Sequence, residues 1–147
     1  LSQLLYPNLK QRIQLECTQD VEHIEVSGSR NEIYSAMINL VSNAVRYTPE
    51  DGSIDLHLKI SPLGELEFAV KDTGPGIAPE HIPRLTERFY RVDRSRSRDS
   101  GGTGLGLAIV KHVLQRHDAH LFISSQIGQG SCFSIRFPKH RMRVIES

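Results

Sequence analysis

Asp72-Thr73-Gly74-Pro75-Gly76-Ile77 closes an apolar, strand-like run, and Gly101-Gly102-Thr103-Gly104-Leu105-Gly106-Leu107 opens a helix-like one. Between the two glycine clusters lie Glu87-Arg88-Phe89-Tyr90-Arg91-Val92-Asp93 and a charged run to Asp99. Glycine lets backbone N–H groups approach a phosphate with no Cβ in the way. A helix N-terminus, where N–H groups are free and the dipole is positive, also favours anions. Two such clusters around an arginine-rich segment predict a closable cover over a nucleotide. Other glycine motifs do not fit. No Gly-Lys-Ser/Thr occurs, so there is no Walker A loop. A dinucleotide fingerprint would need a glycine where Leu107 stands, and a strand where the chain reads Arg-Ser-Arg. Either cluster alone reads as well as a turn and a helix start. Both, in this order and with the arginines between them, favour a ligand.

Upstream, Leu66-Glu67-Phe68-Ala69-Val70 is a strand that returns from Ile54-Asp55-Leu56-His57-Leu58-Lys59-Ile60 through a turn at Pro62 and Gly64. Asp72 therefore sits at a strand end, beside a crevice. Ser29-Arg30-Asn31-Glu32 fits a capping box, with the glutamate reaching back, and predicts a helix to about Tyr47. Ile33, Met37, Leu40, Val41 and Ala44 form its apolar face. Asn39 and Asn43, one turn apart, with Arg46 and Tyr47 nearby, form a polar stripe beside it. One asparagine is ordinary on a solvated face; two on one stripe suggest a ligand. Ile13 to Cys17 alternates and predicts a strand with one buried face, and His23 to Val26 a shorter one. Pro79 to Leu85 suits a short helix and Leu105 to His117 a longer one. Leu121-Phe122-Ile123 and Cys132 to Phe137 are strands joined by Gly128-Gln129-Gly130. Leu1, Leu4, Leu5 and Leu9 suggest the end of a helix over residues 1–11, broken near Pro7. The tail after Pro138 is basic and polar and reads as loose.

At 147 residues, 38% apolar and 24% charged, the chain is one globular domain, read as spanning 1–138, with 139–147 as a polar tail. A formal net charge of +1 leaves no footprint for nucleic acid. No apolar run reaches membrane-spanning length, so no direct membrane insertion is expected. The chain starts at Leu1, which suggests a fragment. Cys17 and Cys132 read as two buried strand thiols in a reducing, cytoplasmic setting. The seven histidines lack zinc-site spacing, and His112, His117 and His120 read as surface residues.

If the ligand is an adenine nucleotide, Asp72 suits it. A carboxylate only accepts hydrogen bonds, and adenine's exocyclic amine donates. Guanine presents a carbonyl there and would leave the buried carboxylate unpaired. Gly74 and Gly76 would let the base approach, and Tyr47 offers an aromatic surface. An asparagine carbonyl suits the partial oxygen shell of magnesium, and Arg46 and Arg91 suit phosphate oxygens.

These residues resemble a known family over nearly the whole chain. Asn39-Leu40-Val41-Ser42-Asn43-Ala44-Val45-Arg46-Tyr47-Thr48-Pro49 resembles the N box of sensor histidine kinases. Asp72 to Ile77 resembles their first glycine box, Glu87 to Asp93 the phenylalanine box, Gly102 to Lys111 the second glycine box, and Gly128 to Phe133 the closing glycine turn. The run from Gly74 to Asp93 is similar in particular to the phosphate-responsive branch, which implies phosphate-starvation signalling by the cytoplasmic part of an inner-membrane sensor. The resemblance implies an α+β fold of the Bergerat type, a two-layer sandwich whose mixed, mostly antiparallel sheet is covered on one face by helices, with residues 92–102 as a flexible ATP lid. It implies ATP and Mg2+ as cofactors, Asn43 as the metal ligand with Asn39 beside it, and Asp72, Gly74, Gly76 and Ile77 around adenine. Tyr90 and Arg91 would lie near ribose and phosphates, and Thr103, Gly104, Leu105, Gly106 and Leu107 around the triphosphate. Asn39 and Arg91 would be the catalytic pair.

Two departures refine this. The kinases need a phosphoacceptor histidine followed by an acidic residue and then a proline, and no histidine here has that context: only His117 precedes an acid, Asp118, with no proline behind it. The implied partners are therefore a separate dimerisation and phosphoacceptor domain and a cognate response regulator. Related hydrolases carry a water-activating glutamate where Asn39 sits, and an amide cannot act as a general base. Hydrolysis should be slow and phosphotransfer preferred. The alternatives are an anti-sigma-factor-type serine kinase and a non-catalytic nucleotide-sensing module of the same fold.

Overall fold

The structure is a computed structural model that describes residues 12–18, 21, 23–90 and 106–145. The expected helix over 1–11, the expected lid over 92–102, and Arg91, Thr103, Gly104 and Leu105 lie outside the described residues.

Five strands form one mixed sheet. They are β1 (Arg12–Cys17), β3 (Ser53–Ile60), β4 (Leu66–Asp72), β5 (His120–Gln126) and β6 (Gly130–Phe137), in the order β1-β3-β4-β6-β5. β1 runs parallel to β3, and the other pairs are antiparallel. Side chains alternate between faces, so the register sets which residues share the core. Leu56, Val70, Phe133 and Ile123 stand in one inward row, and Leu58, Phe68, Ile135 and Leu121 in the next. Helices α1 (Arg30–Tyr47) and α2 (Gly106–Arg116) cover that face. They bury Ala36, Leu40, Val41 and Ala44 from α1, and Leu107, Val110, Val113 and Leu114 from α2. The expected two-layer α+β sandwich, with a mostly antiparallel sheet covered on one face, is what forms.

The opposite face is polar. There Glu67, 7% exposed, is held by Arg136 at 2.7 Å and Lys59 at 3.6 Å, and Arg136 stacks over the Phe122 ring at 4.3 Å. β1 differs from expectation. At the sheet edge its apolar row is not fully covered among the described residues, and Leu15 is 61% exposed. Cys17 is also exposed, whereas Cys132, in β6, is half-buried, which pushes its thiol pKa up. The residues from Pro79 to Leu85 yield only a 3-10 turn at Ile82–Arg84.

The capping box forms by half. Ser29 Oγ accepts from the Glu32 N–H at 3.3 Å. Glu32 turns its carboxylate to Arg116 at 2.7 Å, which holds its pKa low. The Ser29 N–H instead donates to His117 Nε2 at 3.0 Å, while His117 Nδ1–H donates to the Val113 carbonyl at 2.8 Å. His117 is thus not a surface residue: it is 3% exposed and ties the start of α1 to the end of α2. A Cβ on Gly28 would occupy the space of its ring.

The tail after Pro138 is also ordered. Strand β7 (Met142–Val144) pairs antiparallel with β2 (Ile24–Val26). The Ser27 N–H donates to the Arg141 carbonyl at 2.7 Å, and the Arg141 guanidinium donates to the Ser27 carbonyl at 3.1 Å. His140 and Arg141 pair with Asp118, which lowers its pKa. Polar composition suggested a loose tail because strand pairing here relies on backbone bonds and surface ion pairs rather than burial.

Candidate nucleotide site

β4 presents Leu66, Phe68 and Val70 to the core, and the next residue of that row is Asp72. In register with it are Ile54 on one side and Ser131 on the other, followed by Ser125. The sheet's apolar rows thus end in a polar one. Asp72 is 6% exposed, and burial raises its pKa against the lowering effect of its hydrogen bonds. The Gly74 N–H at 2.9 Å and the Ser131 N–H at 3.3 Å both donate to Oδ1. Both bonds converge on one oxygen, so Oδ2 is the one placed to meet a donor on a ligand.

The first glycine cluster folds tightly behind this carboxylate. A Cβ on Gly74 would come within 2.8 Å of the Tyr47 carbonyl. Gly76 adopts φ +80, and a Cβ there would collide with the Gln126 carbonyl. These glycines are required by the protein's own backbone, a different reason from the approach of a base. The Ile77 N–H donates to Ser125 Oγ at 2.7 Å, and Ser125 Oγ lies 2.8 Å from Ser131 Oγ. Residue-by-residue reading missed Ser125 and Ser131. Their signal is two serines at inward positions of otherwise apolar strand rows.

The polar stripe of α1 reaches the start of α2. Asn39 Nδ2 donates to the Ser35 carbonyl at 2.8 Å, which fixes the amide. A Cβ on Gly106 would lie 3.1 Å from Asn39 Oδ1 and 3.8 Å from an Arg46 terminal nitrogen. Glycine at 106 therefore lets α2 begin directly against Asn39 and Arg46. Arg46 Nε is buried and has no hydrogen-bond partner among the described residues. A buried guanidinium N–H with no acceptor is costly, so a ligand acceptor fits there. Asn43 lies half-buried one turn after Asn39, and Tyr47 ends the stripe next to Gly74. Leu107, expected around the triphosphate, sends its side chain into the core, which leaves only its backbone for a ligand. Tyr90 is held by His81 and Arg84, and none of its bonds reaches Asp72 or Asn39. Among the described residues no cluster of His, Cys, Asp or Glu could hold a metal by itself, so a cation at Asn43 would need oxygens from a ligand and water.

An acidic acceptor at a strand end, a polar helical stripe with an unpaired guanidinium N–H and a glycine-started helix against it form a candidate nucleotide site, of the class that ATP-binding domains carry. Residues 28–141 match the family described as "Histidine kinase-, DNA gyrase B-, and HSP90-like ATPase", and the chain belongs to that family. More particularly, it is 51% identical over 136 residues to the phosphate regulon sensor protein PhoR of Pseudomonas aeruginosa, an alignment that covers 92% of this chain and 30% of that one. It is 44% identical to the sensor-like histidine kinase SenX3 of Mycolicibacterium smegmatis, over 78% of this chain and 30% of that one. The chain thus spans about a third or less of these relatives. Among solved structures, the mycobacterial sensor histidine kinase MprB superposes with a TM-score of 0.76 at 27% identity, covering 92% of this chain and 87% of that one. Full-length ShkA, solved in complex with AMPPNP, gives a TM-score of 0.81 at 26% identity over 99% of this chain and 29% of that one. The histidine-kinase names of these relatives weigh against the serine-kinase alternative. No helix among the described residues is long and apolar enough to cross a membrane.

Proposed function

We propose that this chain binds ATP with Mg2+ and serves the transfer of the γ-phosphate to a histidine on a separate dimerisation and phosphoacceptor domain, from which a response regulator takes it. The likeness to PhoR supports phosphate-starvation signalling as the setting, in the cytoplasmic part of an inner-membrane sensor. The observation that carries the reading is Asp72, a buried carboxylate closing a core row, with both N–H bonds on Oδ1, which leaves Oδ2 to accept from a donor such as the adenine amine. Arg46 Nε supplies a buried N–H for a phosphate oxygen. Asn43, beside Asn39, offers a carbonyl to Mg2+. Bound there, Mg2+ would offset phosphate charge, as phosphoryl transfer requires. Arg91, Thr103, Gly104, Leu105 and Gly106 complete the phosphate side of the proposal, with Tyr90 near the ribose. Asn39 cannot activate water, so bound ATP should persist until an acceptor arrives. Incubation with γ-labelled ATP tests this. The chain alone should bind nucleotide and take no acid-labile label. Adding the matching phosphoacceptor domain should yield label on that domain, slowly, because tethering normally supplies the effective concentration. Acid-labile label on the isolated chain would overturn the assignment of the acceptor.

A further inference from the structure

The segment between the two glycine clusters carries a side-chain arrangement that nucleotide contact alone does not explain. From Ala78 to Tyr90 the backbone winds through successive turns: His81 N–H to the Ala78 carbonyl, Arg84 to His81, Glu87 to Arg84 and Tyr90 to Glu87, at 3.0 to 3.2 Å. The winding brings Tyr90 back over His81. The Tyr90 hydroxyl is hydrogen-bonded to His81 Nδ1, with the two rings tilted at 48° and their centroids 5.9 Å apart. The Arg84 guanidinium stacks on the Tyr90 ring at 4.4 Å from its centroid, and Glu87 anchors that guanidinium at 3.2 Å. Glu80 Oε1 lies 3.7 Å from His81 Nε2. A carboxylate on that side favours the tautomer protonated at Nε2, so Nδ1 accepts and the phenol donates.

Phe89, the residue before Tyr90, is strained. It adopts φ +66, a left-handed conformation that bulky L-residues avoid. Such a conformation persists where the surroundings over-determine it. Here it turns Phe89 outward, 66% exposed, and leaves Tyr90 half-buried against the core. Tyr90 is therefore aimed by groups outside the nucleotide site itself.

We propose that His81 is a positioning residue for Tyr90: through the bond from the phenol to Nδ1, with Arg84 closing the ring's other contact, it fixes the direction in which Tyr90 meets the nucleotide. The inference rests on the reading that Tyr90 lies beside a bound nucleotide. Nothing in the spacing of the histidines singled out His81. The two residues are nine apart, and only the turns between them reveal the pair.

The test is a mutant cycle read by calorimetry with a non-hydrolysable ATP analogue and Mg2+. His81→Ala and Tyr90→Phe should each weaken affinity roughly 10-fold, the scale of one lost hydrogen bond. Their double variant should be no weaker than either alone, because both remove the same bond. His81→Asn, whose amide oxygen can replace Nδ1 as acceptor, should recover most of the affinity, while Ala and Asn variants melt alike without ligand. Should His81→Ala fail to fold, His81→Asn beside Tyr90→Phe, together with the ring resonances of His81, carries the test. Nitrogen resonances of the His81 ring give a ligand-free check: Tyr90→Phe should remove the acceptor signature at Nδ1. Additive losses, unchanged affinity in Tyr90→Phe, or unchanged ring resonances would overturn this inference alone. Failure of the unmodified chain to bind the analogue would overturn the nucleotide reading and this inference with it.

Discussion

Asp72 stands where the three preceding inward residues of its strand are apolar, and its charge is held there against burial. Its folded pKa lies above the unfolded value, so the protonated form is the better buried one. Stability from this group is full below the unfolded value of 3.8 and falls as pH rises through the folded value. Asp72→Asn should therefore melt above the wild type at neutral pH, with the gap closing on acidification. The same variant should lose adenine nucleotide, since an amide can present a donor to the base amine. A variant that melts lower, or that titrates with an ATP analogue unchanged, would contradict this. Asn43→Ala should weaken nucleotide binding only when Mg2+ is present, and an equal loss in chelator would assign Asn43 to the nucleotide or the fold. Asp72, Asn39 and Arg46 could be picked out as candidates in the sequence, Asp72 because it ends an apolar strand and the other two because they share a polar stripe beside an apolar helix face. Ser125, Ser131 and His117 could not, because a serine in a strand or a histidine after a helix is unremarkable until the register places it.

Elements were easier to read than their joints. β3, β4, β6 and α1 fall where alternation and the Ser29 cap predicted them, since one buried face imposes its period on the chain. What joins the elements depends on residues far apart. The first turn of α1 is completed by a histidine from the end of α2, which no local rule contains. His117→Ala should cost about 1–3 kcal/mol by leaving the Ser29 N–H without its acceptor. Chemical denaturation should show this loss with nucleotide affinity largely intact in the protein that remains folded. A stability equal to wild type would mean that water replaces the imidazole. β7 was invisible for a related reason: it buries little, and its partner β2 lies at the other end of the sequence.

At the scale of the molecule, the sandwich and its family were readable from the order of glycine clusters and the asparagine stripe, whereas the closure of its flank was not. Truncation after Pro138 should lower the melting temperature, because it removes the β2–β7 pairing, the Ser27–Arg141 exchange and both partners of Asp118, His140 and Arg141. Asp118 has a lowered pKa, so its share of the loss is present above the unfolded aspartate value and fades as pH falls through the folded one. An unchanged melt would show that β7 only decorates the surface. The same pairing bears on how the chain is made. Ser29 waits for a residue 88 positions later, and Ser27 and Glu25 for residues 114 and 118 positions later. Contacts of such long range slow folding, because loop closure precedes any gain. During synthesis α1 leaves the ribosome long before its cap can be completed, and β2 keeps an open edge until residues 142–144 have followed. Through that interval the nascent domain offers an unpaired strand edge to its neighbours, a hazard that ends only when the last strand arrives.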